Sequence, residues 1–325
     1  MNKKNFALVY FVSRSFFLGI VYSLMINKSG ADSIIACLIG SIIGCLLIYI
    51  INKCNLNKDS SKLIRLSLYL TFLVLLIQIL ETYISSFFLL ETPKLLIVIP
   101  SVILCIYASF KSIDILRNSS NILFIISFSL YAFAVFALFA YFKTDNIMPF
   151  FTHRFTTIFE SALIFAFSSA MPNILIADQM TPKEHVINYF ITSLFISLIC
   201  LLIIGVLTPN VAKLYRFPEY ITLKRIKFFE FIENIENFII AMWYIDIFYT
   251  MTFTIKRIYE LINNKKALYL IIIFISFFAI SFVTANYYVA LTIYKLTLII
   301  LSSHFILLLI STFIKKLSKR LVKST

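Results

Sequence analysis

From Phe6 to Ile314 the chain is filled by about ten apolar stretches, each long enough to cross a lipid bilayer, with short breaks between them. A membrane-crossing helix needs roughly 20 apolar residues, and segment after segment meets that length. With 61% hydrophobic and only 14% charged residues and a mean hydropathy of +0.96, so much apolar surface cannot be hidden in a water-facing fold. The sequence therefore predicts an all-α integral membrane protein with about ten transmembrane helices.

The spans are placed at 6–26, 32–51, 65–90, 95–110, 120–142, 158–177, 186–207, 229–255, 267–287 and 289–314. The longest polar interruptions, Asn52–Lys62, Lys143–Thr157 and Pro209–Lys227, are too short to bury a core of their own. The run from Phe6 to Ile26 is too long for a leader and has no small-x-small cleavage pattern, so it reads as a retained first helix. It carries no proline and only Gly19 as a small break. The five cysteines show no paired spacing and read as buried hydrophobes, and the three histidines fall in different segments.

The net charge of +14 would suggest nucleic acid in a soluble protein. In a membrane chain it chooses the orientation instead. Lysine and arginine cluster on the side of the N-terminus (Lys53, Lys58, Lys62, Arg65; Lys256, Arg257, Lys265, Lys266; Lys315, Lys316, Lys319, Arg320, Lys323), about twice the number opposite. Both termini are thus expected in the cytoplasm. The segment 209–227 departs from this bias, and reads either as an amphipathic stretch lying flat on the outer surface or as a sign that the span count is off by one there. Divided at the loop 143–157, the chain gives one transmembrane domain of two halves, 6–142 and 158–314, with the opposed orientations of inverted-repeat transporters.

Ionisable groups inside a bilayer cost at least about 2.5–3.5 kcal/mol each near a helix centre and are functional candidates by default. Here they are Arg14, Glu81, Glu233, Glu236, Asp246, Lys295 and His304. Arg14 lies roughly 12 Å inside the first span by helical rise, and Glu81 or an acid of the eighth span is expected to neutralise it. That eighth span bears acidic stripes (Glu230, Glu233; Glu236, Asp246) and is expected either to line a wet cavity or, for Glu230 and Glu233, to place those acids in the outer headgroup zone, Asp246 lying deeper. In the sixth span, Ser168-Ser169-Ala170-Met171-Pro172-Asn173 places a proline among small residues, which frees carbonyls near Ser168 and suits a discontinuous helix. Gly40-x-x-x-Gly44 is a face for close helix contact within the chain. No catalytic constellation appears.

Several segments, in order, resemble the spore germination permeases, the GerAB-type B subunits of germinant receptors, placed in the amino acid–polyamine–organocation transporter superfamily. They are Gly30-Ala31-Asp32 with Gly40 and Gly44; Tyr83-Ile84-Ser85-Ser86 through Glu91-Thr92-Pro93; Tyr107-Ala108 with Ile113 to Arg117; Asn146-Ile147-Met148-Pro149; and Phe228 to Trp243. Asn234 stands where the family has an arginine. The resemblance implies a LeuT-like 5+5 inverted repeat with a mid-membrane ligand site built from Arg14, Gly19, Glu81, Ser168, Ser169, Pro172, Asn173, Glu233, Glu236 and Asp246. It further implies a small nutrient ligand such as an amino acid and no cofactor. The implied partners are an A-type membrane subunit and a C-type lipoprotein in the inner membrane of the spore. The rival expectation is a stand-alone amino acid or amine transporter coupled to protons or cations.

Overall fold

The computed structural model describes residues 5–17, 20–54, 56, 60–87, 92–226, 235–281 and 287–324. Among these the chain is helical and contains no strand. The helices are α1 (Phe6–Arg14), α2 (Val21–Ser29), α3 (Ser33–Lys53), α4 (Lys62–Phe87), α5 (Lys94–Ser109), α6 (Ile113–Phe139) and α7 (Phe155–Ala170). They continue as α8 (Pro182–Leu207), α9 (Pro209–Ala212), α10 (Pro218–Leu223), α11 (Ile235–Ile262), α12 (Lys265–Ser281) and α13 (Tyr287–Ser324). Short 3-10 turns cover Gly30–Asp32, Thr144–Asn146 and Met171–Gln179. By length and composition, six helical stretches can cross a membrane: Val21–Lys53, Lys62–Ser86, Ile113–Phe139, Phe155–Gln179, Pro182–Leu207 and Val289–Lys315.

The first apolar run is not one helix. It forms α1 and α2, each nine residues and so about 14 Å long, and the described residues between them, 15–17 and 20, are turn and not α-helix. No proline makes this break; packing does. Phe16 lies against Phe72 with ring centroids 5.5 Å apart, and Phe17 against Phe165 at 5.1 Å. The carbonyl of Phe16 accepts from the Tyr294 hydroxyl at 3.0 Å. The expectation of an unbroken helix over 6–26 is thus corrected by long-range contacts.

The sixth run breaks where its sequence says it should. The α-helix ends at Ala170 and a 3-10 segment takes over at Met171, with Pro172 in its first turn. Proline cannot donate to the carbonyl four residues back and its ring crowds it. The 3-10 segment is held from its far end by Arg257 of α11, whose Nε donates to the Leu175 carbonyl at 2.8 Å while its guanidinium pairs with Asp178 and Glu260.

Helix α3 supplies the closest contact in the bundle, packing on α7 and α8. A Cβ at Gly40 would sit 2.7 Å from the Ala162 carbonyl oxygen, and one at Gly44 would sit 1.9 Å from the Tyr189 hydroxyl. The small-residue face is therefore used inside the chain. The segment 209–226 has one face exposed, at Leu214, Tyr215, Lys224 and Arg225, and the other buried. It folds into α9 and α10, each opened by a proline, a residue suited to a first helical turn. Pro218, Glu219, Thr222 and Leu223 are buried against α8 and α2.

Candidate functional site

The two helix breaks meet. Asn173, just past the break in the sixth run, donates through Nδ2 to the Ser13 hydroxyl at 2.8 Å and to the Ser169 carbonyl at 2.9 Å. The second bond takes up a carbonyl released beside Pro172. Asn173 Oδ1 accepts from His185 Nε2 at 3.2 Å, and His185 Nδ1 accepts from Asn52 Nδ2 at 2.9 Å. Asn52 Nδ2 also donates to the Ile48 carbonyl, so its amide is oriented and the imidazole proton must sit on Nε2. Four segments are thereby tied together by buried polar groups with matched donors and acceptors. Beside them, Ser169 donates to the Phe165 carbonyl and accepts from Tyr189 at 2.6 Å.

Arg14 is the last residue of α1, one position from Ser13. Its side chain is 4% exposed and lies 3.4 Å (Nη2 to Oδ2) from Asp246, which is fully buried. Of the acids expected to neutralise Arg14, the structure selects Asp246. The guanidinium also donates to the Tyr10 hydroxyl, lies over the Tyr10 ring at 4.5 Å, and faces the Tyr131 ring at 5.8 Å. Arginine is suited to this setting because its flat, weakly hydrated cation stacks on aromatic faces. Neither carboxylate oxygen of Asp246 accepts a hydrogen bond among the described residues. At 3.4 Å the pair is in electrostatic contact but is not a close hydrogen-bonded fork.

Next to Arg14 a pocket opens between α6, α8, α10 and α11, lined by Ser127, Tyr131, Glu219, Thr222 and Trp243 among others. Its volume, about 40 Å³, holds roughly three water-sized spheres. Ligand pockets of drug-sized molecules run to about 300–1,000 Å³, so the hollow in this structure is far smaller than such a pocket. The lining thus combines a guanidinium (Arg14), a buried carboxylate (Glu219), a serine hydroxyl (Ser127) and two aromatic side chains (Tyr131, Trp243).

Of the predicted residues, Arg14 and Asp246 come together, and Ser169, Pro172 and Asn173 sit at the break that adjoins them. Ser168 is buried on the same turn, close to the Tyr294 hydroxyl. Glu81 stands apart. It is buried in α4, but the charges facing it are Lys94 and Arg216, so it does not partner Arg14. Lys295 is exposed on the outer face of α13, and His304 bonds to the Ile300 carbonyl of its own helix; neither joins the site. Gly19, Glu230 and Glu233 lie outside the described residues, as does the side chain of Glu236. The sequence reading passed over Tyr10, Ser13, Asn52, Tyr131, His185 and Glu219. Only Glu219 had a visible signal, an acid directly after a proline in a segment too polar to span and too short to fold alone.

Comparison with known families is consistent with this layout. The profile of the spore germination protein family, of permease type, matches residues 12–289. The chain belongs to that family. The matched region begins just before Ser13 and Arg14 and takes in both breaks, Glu219 and Asp246, leaving out most of α13. No curated protein matches the chain. A germination permease is a multi-pass membrane protein, which agrees with the long apolar helices.

Proposed function

We propose that this chain is the permease-like subunit of a spore germinant receptor, working in the inner membrane of the spore with both termini in the cytoplasm. The helices form ten crossings arranged as a LeuT-like 5+5 inverted repeat, in which α1 with α2, and α7 with its 3-10 extension, are the two interrupted members. A small nutrient, an amino acid by class, enters the hollow beside Arg14. Its carboxylate competes with Asp246 for the guanidinium, while its ammonium takes up Asp246 or Glu219. The observation that carries this reading is the Arg14–Asp246 pair, buried at the junction of two helix breaks and bordering a small pocket.

A ligand shifts a conformational equilibrium only through unequal affinity for the two states. The open form offers Arg14 and Asp246 to the ligand; the closed form has them facing each other. Nutrient binding therefore favours the open arrangement, and the change passes to an A-type membrane subunit and a C-type lipoprotein or opens an ion path. Spores lacking this chain are expected to fail on at least one nutrient that germinates the parent. Normal germination of such spores on every nutrient tested removes the receptor role. Concentrative amino acid uptake by proteoliposomes holding this chain alone turns the assignment to a stand-alone secondary transporter, with Asp246 as its proton-coupling group.

A further inference from the structure

Helices α5 and α12 run side by side and leave a groove of about 660 Å³ between them, lined by none of the residues around Arg14. Its walls are Leu95, Ile99 and Ile103 of α5 and Ile273 and Phe277 of α12, and Ile103 and Phe277 are 60% and 57% exposed. From Leu95 to Phe110 the groove follows α5 for roughly 22 Å by helical rise, more than the ~15 Å depth of one leaflet. The walls are bulky and branched. Helix α3 approaches α7 closely through Gly40, whereas the groove is lined by bulky residues with Ser276 as its one small member, so it lacks a continuous small-residue face for a second helix.

One end of the groove is cationic. Lys111 Nζ lies 4.4 Å from the ring centroid of Tyr107, and Lys265 Nζ lies 5.2 Å from that of Phe110, both rings being part of the groove wall. Lys266 is exposed beside them. The neighbouring charges are already engaged: Lys256 donates to the carbonyls of Ser109 and Lys111, Asp114 pairs with Arg117, and Glu260 pairs with Arg257. Among the described residues no ion pair joins Lys111 or Lys265 to an acid.

We propose that this groove is a binding site for an anionic phospholipid, with an acyl chain laid along α5 and α12 and the headgroup phosphate held between Lys111 and Lys265. A long apolar slot closed at one end by two unmatched ammonium groups fits a molecule with one apolar tail and one anionic head. A zwitterionic headgroup brings its own cation to the same lysines and is disfavoured. Basic pockets between membrane helices select anionic headgroups by this means.

The test is native mass spectrometry of the full chain, titrated with phosphatidylglycerol or with phosphatidylcholine of the same acyl composition. Phosphatidylglycerol is expected to bind more tightly. Lys111→Gln and Lys265→Gln should each weaken it about fivefold, and together roughly 30-fold, leaving phosphatidylcholine unchanged. The control pair Lys213→Gln/Lys224→Gln, remote from the groove, should change neither. Filling the groove with Ile103→Trp, or with Ile273→Trp if the first variant fails to fold, should weaken both lipids. Equal binding of the two lipids, or full retention of phosphatidylglycerol by Lys111→Gln/Lys265→Gln, overturns the proposal. So does a photo-crosslinker at position 103 that captures a polypeptide and no lipid in cell membranes.

Discussion

Arg14 and Asp246 are nearly sealed from solvent, and each is tolerable only because of the other. Removing one partner of a buried pair leaves an uncompensated charge and costs about 3–5 kcal/mol, whereas replacing both with apolar groups is often neutral or stabilising. Asp246→Asn alone is therefore expected to lower the thermal midpoint of the detergent-solubilised protein. The double variant Arg14→Met/Asp246→Leu should recover most of that loss. If the pair binds the nutrient as proposed, the recovered protein should still fail to support nutrient-triggered germination. Equal midpoints for Asp246→Asn and the parent protein show that the pair does not hold the fold. A double variant that folds and still supports germination refutes the binding role.

At the scale of elements, what the sequence discloses depends on where the cause of a structure lies. Pro172 is a local cause, so the end of α7 at Ala170 is legible: a proline must free the carbonyl four residues before it. The break after Arg14 has a distant cause, the seating of Phe16 and Phe17 on Phe72 and Phe165 and the hydroxyl of Tyr294. No pattern within residues 6–26 records it. Glu219 is hidden for the same reason, since its burial depends on α10 turning back onto α8 and α2. Two predictions belong here. Gly40→Ala drives a Cβ against the Ala162 backbone, which cannot move aside, whereas Gly44→Ala meets the tip of the Tyr189 side chain. Overpacking costs about 1–3 kcal/mol, and Tyr189→Phe should restore part of the thermal midpoint lost by Gly44→Ala. In Gly40→Ala the same change should only lower the midpoint further, since it removes the Tyr189–Ser169 hydrogen bond and relieves no clash. Arg257→Met removes the clamp on the Leu175 carbonyl and on Asp178. Hydrogen exchange across Met171–Gln179 is expected to rise at least tenfold while that of α3 stays as in the parent. Unchanged exchange assigns the stability of the 3-10 segment to packing alone.

For the whole molecule the governing quantity is the match between apolar length and bilayer thickness, together with the charge at the loop ends. Class was legible from these because every long apolar stretch must be helical where backbone groups have no water to bond. The site was only partly legible, since Arg14 and Asp246 announce themselves as charges among apolar residues, whereas Tyr10, Tyr131 and His185 look like ordinary core. Orientation follows from lysine and arginine, which favour the cytoplasmic side of short loops. On the proposed orientation the clusters at Lys53–Arg65, Lys256–Lys266 and Lys315–Lys323 share the cytoplasm, and the turn Thr144–Asn146 faces outward. This can be read with a membrane-impermeant maleimide, because Cys37, Cys105 and Cys200 are buried and Cys45 and Cys54 can be replaced by serine. In intact cells a cysteine at Asp145 should react within minutes, and one at Asn264, between α11 and α12, should react only after the membrane is permeabilised. Reaction of Asn264→Cys in intact cells inverts the topology, and with it the leaflet that supplies the lipid bound between Lys111 and Lys265.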